Sequence, residues 1–425
     1  MSPALRISIT IVLFAATVFA VIWKPRGLHE AWATGTAALV FLVLGFVSPE
    51  DAWTVIMNGK PVLLFLLSLL SLATLVDASG FFSWAALHAA RAAQGSAKRL
   101  FRNVFLLGSA VTFVLSLDTT AVLLTPIVLS FCRRLKIPAL PYVVTCALVA
   151  NAASLALPAS NLTNLLLLGT SRISTATYMA RMAMPQLVVL AALYVGLAHQ
   201  FRRELAVTFA EHAVAEPRTA VSHAGYFRAS VLVLVISFAL FSVGPALGIA
   251  PYVVGLMSCA LLALYGMATK QVTMRLFRKI PVGMVPFVIG LFLCVKALEN
   301  LGFAAYLGRL LAAAPYGTAG EVFSHTIVSA VLANASNNLP AALLFQSILN
   351  RANEPAMFAT LLGVNVGPNV FPFASLATML VLALARADNA TVTGRDFFAA
   401  GIRITPLCLL LGAAVLAASY GLVPP

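Results

Sequence analysis

Residues Pro61 to Ala93 read PVLLFLLSLLSLATLVDASGFFSWAALHAARAA, and residues Pro281 to Ala314 read PVGMVPFVIGLFLCVKALENLGFAAYLGRLLAAA. Each is an apolar span, then an acidic residue (Asp77, Glu299), then a Gly-Phe pair (Gly80-Phe81, Gly302-Phe303), then an Ala-rich amphipathic stretch. Downstream, LDTTAVLLTP around Asp118 occupies the place that NNLPAALLF around Asn337 occupies later. NAASLALPASNLTNLLLL from Asn151 likewise pairs with NVGPNVFPFASLATMLVL from Asn365. The separations stay between about 214 and 222 residues, so one unit is duplicated. The first half is expected over 1–201, with a re-entrant hairpin at 102–133 and a broken helix at 139–170. A polar linker at 202–228 follows. The second half, 229–425, repeats the plan with a hairpin at 319–350 and a broken helix at 355–386.

Composition places these pieces in a bilayer. Of the 425 residues, 61% are hydrophobic and 9% charged, against about 25% charged in soluble domains. A helical span takes roughly 20 apolar residues. The expected fold is therefore an all-α polytopic membrane protein of about ten transmembrane helices, two re-entrant hairpins and two broken helices. The apolar run Ile7 to Trp23 lacks small residues for cleavage and reads as a retained span. Cys132, Cys146, Cys259, Cys294 and Cys408 are scattered with no CxxC pair, and the histidines show no ligand spacing. No metal, cofactor or disulfide is expected.

The net charge of +14 reads as the lysine and arginine excess that orients membrane proteins, not as a nucleic-acid surface. Segments 202–228 and 270–279 flank two spans joined by the uncharged stretch Pro245 to Tyr252, so they share a side, and both are basic. That side is expected to be cytoplasmic, together with Lys24, Arg26, Arg91, Lys98, Arg99, Arg102, Arg133, Arg134 and Lys136. Arg6, Lys60, Arg172, Arg181, Arg309, Arg351 and both termini fall outside. The halves then run in opposite orientations, and inverted repeats with broken helices are a mark of secondary transporters.

Asp118 sits in the hairpin tip Ser116-Leu117-Asp118-Thr119-Thr120, between two apolar arms. A charged carboxylate at bilayer depth is costly, which makes Asp118 the candidate carrier of a coupling proton; the alternative reading is a helix cap. Ser116, Thr119 and Thr120 belong to the same tip. In the first broken helix, Asn151, Ser154, Ser160, Asn161, Thr163 and Asn164 surround Pro158. In the second, Asn365, Asn369, Ser375 and Thr378 surround Pro368 and Pro372, and Ser336, Asn337 and Asn338 form the second tip. Proline frees backbone groups that a solute can meet, and the amides and hydroxyls add uncharged donors and acceptors. These are the candidate substrate-binding residues; the alternative is that they only satisfy kinked backbone. One carboxylate without lysine or arginine suits a small neutral polyhydroxyl solute better than an anion. Lys296, three residues before Glu299, reads as snorkelling or a local pair.

LDTTAVLLTPIV from Leu117, SNLTN from Ser160, SNNLP from Ser336, NVGPN from Asn365 and SLAT from Ser375 together resemble the arsenite efflux permeases of the ArsB type, in the ion transporter superfamily. The resemblance covers nearly the whole chain, including IWKPRGL from Ile22. It implies export of arsenite, and antimonite, as neutral trihydroxides in exchange for protons, across a bacterial inner membrane. It also admits an ArsA-type ATPase partner and a homodimer. The family pattern often has Asn-Asp-Gly where this chain has Leu117-Asp118-Thr119, and Asp-Leu-Gly-Pro-Lys where it has Asn365-Val366-Gly367-Pro368-Asn369. A second intramembrane carboxylate is thus absent. The rival within the superfamily is a sodium- or proton-coupled symporter of sulfate or dicarboxylates. No HExxH, P-loop or nucleophile-base pattern supports an enzyme.

Overall fold

The computed structural model describes residues 3–23, 29–169, 173–312, 314–349 and 353–421. Lys24, Arg26, Arg172 and Arg351, used above to assign sides, lie outside the described residues. The first half comprises α1 Pro3–Trp23, α2 Glu30–Val43, α3 Pro49–Asp77, α4 Phe81–Arg91, α5 Ala97–Val114, α6 Leu117–Thr119, α7 Thr125–Leu135, α8 Leu140–Ala152, α9 Leu162–Gly169 and α10 Thr175–Gln200. The second comprises α11 Ala224–Val243, α12 Pro251–Ala268, α13 Met274–Phe277, α14 Met284–Asn300, α15 Phe303–Leu311, α16 Ala319–Ser336, α17 Asn338–Ile348, α18 Glu354–Val366, α19 Leu376–Ala387 and α20 Gly394–Ser419. No strand occurs among the described residues; Ser96 and Thr208 form a single β-bridge. The fold is all-α.

Among the described residues, five helices are long and apolar enough to cross a bilayer unaided: α3, α10, α11 extended to Leu247, α12 and α20. The pair α14 and α15, bent by 73°, makes a sixth. The count falls short of ten on length because the described apolar part of α1 and all of α2, α8 and α19 have only 10–17 residues each.

Local chemistry sets the boundaries. Ser48 caps α3 by accepting from the Asp51 amide at 3.0 Å, with Pro49 in the first turn where its missing N–H costs nothing. The helix leading into the first tip, α5, begins at Ala97, where the Ser96 side chain caps it by accepting from the Arg99 amide at 3.4 Å. Gly80 and Gly302 open α4 and α15 at φ of 82° and 81°, the left-handed region that glycine enters freely. At Gly80 a Cβ would also lie 1.9 Å from the Ala220 carbonyl oxygen in the linker.

Packing sorts the helices into two groups. In one, α2 lies on α14, α3 on α12 and α14, and α11 on α12, with α1 against α2. The other gathers α5, α7 to α10 and α16 to α20. There α16 and α18 approach closely over small residues, Thr326 and Ser329 donating to the Ala359 and Thr360 carbonyls at 3.2 and 3.3 Å. The halves are interleaved: α17, the returning arm of the second hairpin, packs on α9 of the first broken helix, while α7 and the turn Thr120–Leu124 pack on α19 of the second. The linker straps one end of the molecule. Ala97 N donates to Val207 O at 3.2 Å and Phe209 N to Gly95 O at 2.8 Å, and the Tyr226 hydroxyl donates to the Leu75 carbonyl near the end of α3 at 2.9 Å.

Candidate functional site

Both hairpin tips and both helix breaks meet at one point. At the first tip, the Ser116 hydroxyl accepts from the Thr119 amide at 3.2 Å and lies 3.0 Å from the Thr119 hydroxyl, starting the short helix that carries Asp118. The Thr120 hydroxyl pairs with that of Thr112 at 2.7 Å across the hairpin. The turn Thr120–Leu124 is a π-helix, a form often found at functional sites. At the second tip, Asn337 takes a φ of 86°, and its amide donates to the Phe373 carbonyl at 3.0 Å. The Asn338 backbone N–H donates to Ala374 O at 2.9 Å, tying this tip to the break before α19.

Between these pieces lies a cavity of about 40 Å³. A single water needs roughly 10–15 Å³ of such space, so the cavity suits a solute of a few heavy atoms. Its polar lining is Asp118, Asn161, Thr163, Asn337, Asn338 and Ser375; its apolar lining includes Leu66, Met284, Phe287 and Val288. Among the described residues the side chains of Asp118 and Asn338, one from each tip, make no hydrogen bond or ion pair. Among the described residues, no lysine, arginine or histidine lines the space.

The other predicted residues are placed behind this lining and bound to one another. Asn151 donates to Asn369 Oδ1 at 2.9 Å and Thr378 Oγ1 at 3.2 Å, and accepts from the Ser375 hydroxyl at 2.8 Å. Asn365 donates to Asn164 Oδ1 and the Leu361 carbonyl, both at 2.8 Å. Its Oδ1 accepts from Thr163 at 3.0 Å, from Ser154 at 3.4 Å and from Asn161. The exchange is reciprocal. Asn365, Ser375 and Thr378 each stand 214 residues after Asn151, Asn161 and Asn164, and each half's asparagine binds the other half's break. Asn164 also holds the Ser154 and Leu157 carbonyls at 2.6 and 3.2 Å, and Asn369 holds that of Leu148 at 3.1 Å. Ser160 and Ser336 donate to the carbonyls of Phe113 at 2.7 Å and Leu332 at 2.8 Å. These groups pin broken backbone, whereas Asp118, Asn161, Asn337, Asn338 and Ser375 reach the cavity.

A larger vestibule of about 570 Å³ lies beyond, along the same helices α3, α9, α14 and α17. Asp51, Thr54, Asn58, Lys296, Glu299, Gln346 and Ser347 are its polar lining. Lys296 and Glu299 form the local pair expected from their spacing, at 3.5 Å. Leu66, Leu166, Leu339, Leu343, Phe292 and Val288 belong to one apolar cluster at the junction of vestibule and cavity. The vestibule occupies the N-terminal part of α3, whereas the linker binds near its C-terminal end, so the two lie at opposite ends of the molecule.

Polar-residue reasoning missed the α3 and α14 wall. Leu66, Met284, Phe287 and Val288 sit in plain apolar runs, where nothing in the pattern sets them apart from lipid-facing neighbours.

The arsenical pump membrane protein family model matches residues 9–418. An arsenical pump membrane protein of Yersinia enterocolitica is 31% identical over 422 residues, covering 95% of this chain and 97% of its own. One of Escherichia coli K12 is 30% identical over 421 residues with the same shares covered. A putative arsenical pump membrane protein of Bacillus subtilis is 24% identical, covering 93% and 96%. In fold, the chain is similar to the Alcanivorax borkumensis YdaH transporter, whose crystal structure was described as having an unusual topology. The TM-score is 0.58 at 15% identity, over 96% of this chain and 98% of that one. The chain belongs to the arsenical pump membrane protein family, as a multi-pass membrane protein.

Proposed function

We propose that this protein exports arsenite, and antimonite, as the neutral trihydroxide in exchange for protons, with Asp118 carrying the proton. The observation that carries the reading is the 40 Å³ cavity, which Asp118 and Asn338 both line, with no side-chain partner and no cation in the lining among the described residues. Three hydroxyls of a small neutral solute supply the donors and acceptors that these two side chains lack. The cavity has no lysine or arginine to neutralise sulfate and is too small for a dicarboxylate, which disfavours the symporter reading. In exchange, a charged Asp118 accepts hydrogen bonds from the solute hydroxyls. Protonation removes that acceptor and releases the solute, so a proton and the solute occupy the site alternately. With the basic linker facing the cytoplasm, the vestibule is the exit to the outside and the route by which protons enter.

Everted vesicles containing this protein as their only transporter, with an imposed pH gradient acid inside, test the proposal. Arsenite is expected to accumulate, the gradient to be consumed, and Asp118→Asn to abolish both while the protein stays folded. Accumulation driven equally by a sodium gradient at uniform pH, or undiminished in Asp118→Asn, overturns it.

A further inference from the structure

The central cavity has both polar and apolar lining, and Leu117, Leu162, Leu339 and Leu376 of the tips and breaks add apolar surface beside their polar groups. Its polar groups come from the tips and breaks, while α3 and α14 contribute only Leu66, Met284, Phe287 and Val288. Met284 is the one sulfur-bearing side chain among the lining residues, and none of the five cysteines lines the cavity. Arsenous and antimonous acids are pyramidal: three hydroxyls splay to one side and leave a soft, lone-pair-bearing atom on the other. Such a solute has one polar and one soft apolar face, and the α3 and α14 side of the cavity offers apolar groups alone.

We propose that the α14 wall, with Met284 as its polarisable contact, receives the arsenic or antimony atom while the tip residues hold the hydroxyls, making Met284 a specificity-determining residue. This rests on the arsenite reading above. A thioether suits the task because it has no proton to lose. Trivalent arsenic condenses with a thiol by expelling water and forming an As–S bond, and that bond must break again before release. A thioether contacts the atom and lets it go, while still favouring soft centres over hard ones. A solute coated with oxygen on every side, such as arsenate or sulfate, would turn a polar atom onto this wall without a partner.

The test uses purified protein in liposomes and compares arsenite with antimonite, the softer of the two. Met284→Leu keeps size and apolarity and removes sulfur. Its KM for antimonite is expected to rise by about threefold or more relative to its KM for arsenite, with kcat and proton dependence retained. Met284→Gln, of similar length with a polar end, is expected to raise KM for both. An unchanged antimonite-to-arsenite KM ratio in Met284→Leu, or unchanged affinity in Met284→Gln, overturns the assignment of Met284. Wild-type protein that moves neither solute overturns the arsenite reading itself, so the two failures are distinguishable. Should Met284→Leu not fold, Phe287→Leu on the same wall is read instead. It is expected to weaken both affinities, and unchanged values would overturn the wall's role.

Discussion

At the level of the residue, an asparagine's role is set by what its amide already holds. Asn338 faces the cavity unpartnered, while the side-chain oxygen and nitrogen of Asn365 are both fully engaged. Asn338→Ala is therefore expected to raise KM for arsenite by about tenfold, the lower-middle of the 1–3 kcal/mol that a lost buried partner costs. Thermal stability should stay near wild type. Measuring KM and unfolding temperature side by side checks it; a stability loss with unchanged KM would place the solute elsewhere. The cysteines lead to the opposite expectation. All five are free and none lines the cavity, Cys259 donating instead to the Ser68 carbonyl at 3.0 Å. A variant with all five replaced by Ser or Ala is expected to transport arsenite, and loss of transport in a folded single replacement would contradict the oxygen-and-amide site.

Among the elements, the reciprocal asparagine exchange makes the two broken helices one unit. Asn151→Ala and Asn365→Ala are expected to destabilise the protein by about 1–3 kcal/mol each, because each leaves buried groups of the other half unpaired. Their effect on affinity should be indirect, through the aim of Ser375 and Asn161. A double-mutant cycle between Asn151→Ala and Ser375→Ala measured by unfolding should be non-additive, and strict additivity would mean that the contact carries no energy. The two glycine corners offer a second contrast. Gly80 and Gly302 share a left-handed backbone, but only Gly80 presses on the linker carbonyl of Ala220. Gly302→Ala is expected to cost about 1 kcal/mol, and Gly80→Ala distinctly more. Equal costs would show that the linker yields freely.

Over the whole molecule, vestibule and linker occupy opposite ends, which turns membrane orientation into a labelling experiment. In the cysteine-free background, Asn58→Cys or Ser347→Cys in the vestibule should react with a membrane-impermeant thiol reagent added outside intact cells. Thr219→Cys in the linker should react only in everted vesicles. The reverse pattern would invert the topology and make the vestibule a cytoplasmic entry.

The all-α architecture and the places where the helices break were legible in the chain because their causes are local. Apolar runs demand helices in a bilayer, and Pro158, Pro368 and Pro372 interrupt them at stated places. Asp118 stood out as a candidate for the same reason, a carboxylate within an apolar segment being costly, and it lines the cavity. What tertiary structure alone decided was the division of labour within that polar set. Asn161 and Asn164 lie three residues apart in one motif, yet one reaches the cavity and the other is spent on backbone carbonyls and on Asn365, 201 residues away. The cavity lining of Met284, Phe287 and Val288 was equally invisible, since an apolar side chain lining a cavity and one facing lipid obey the same pattern. Hydrophobicity along a chain records only that a side chain avoids water; which surface it meets instead depends on helices brought together from distant parts of the sequence.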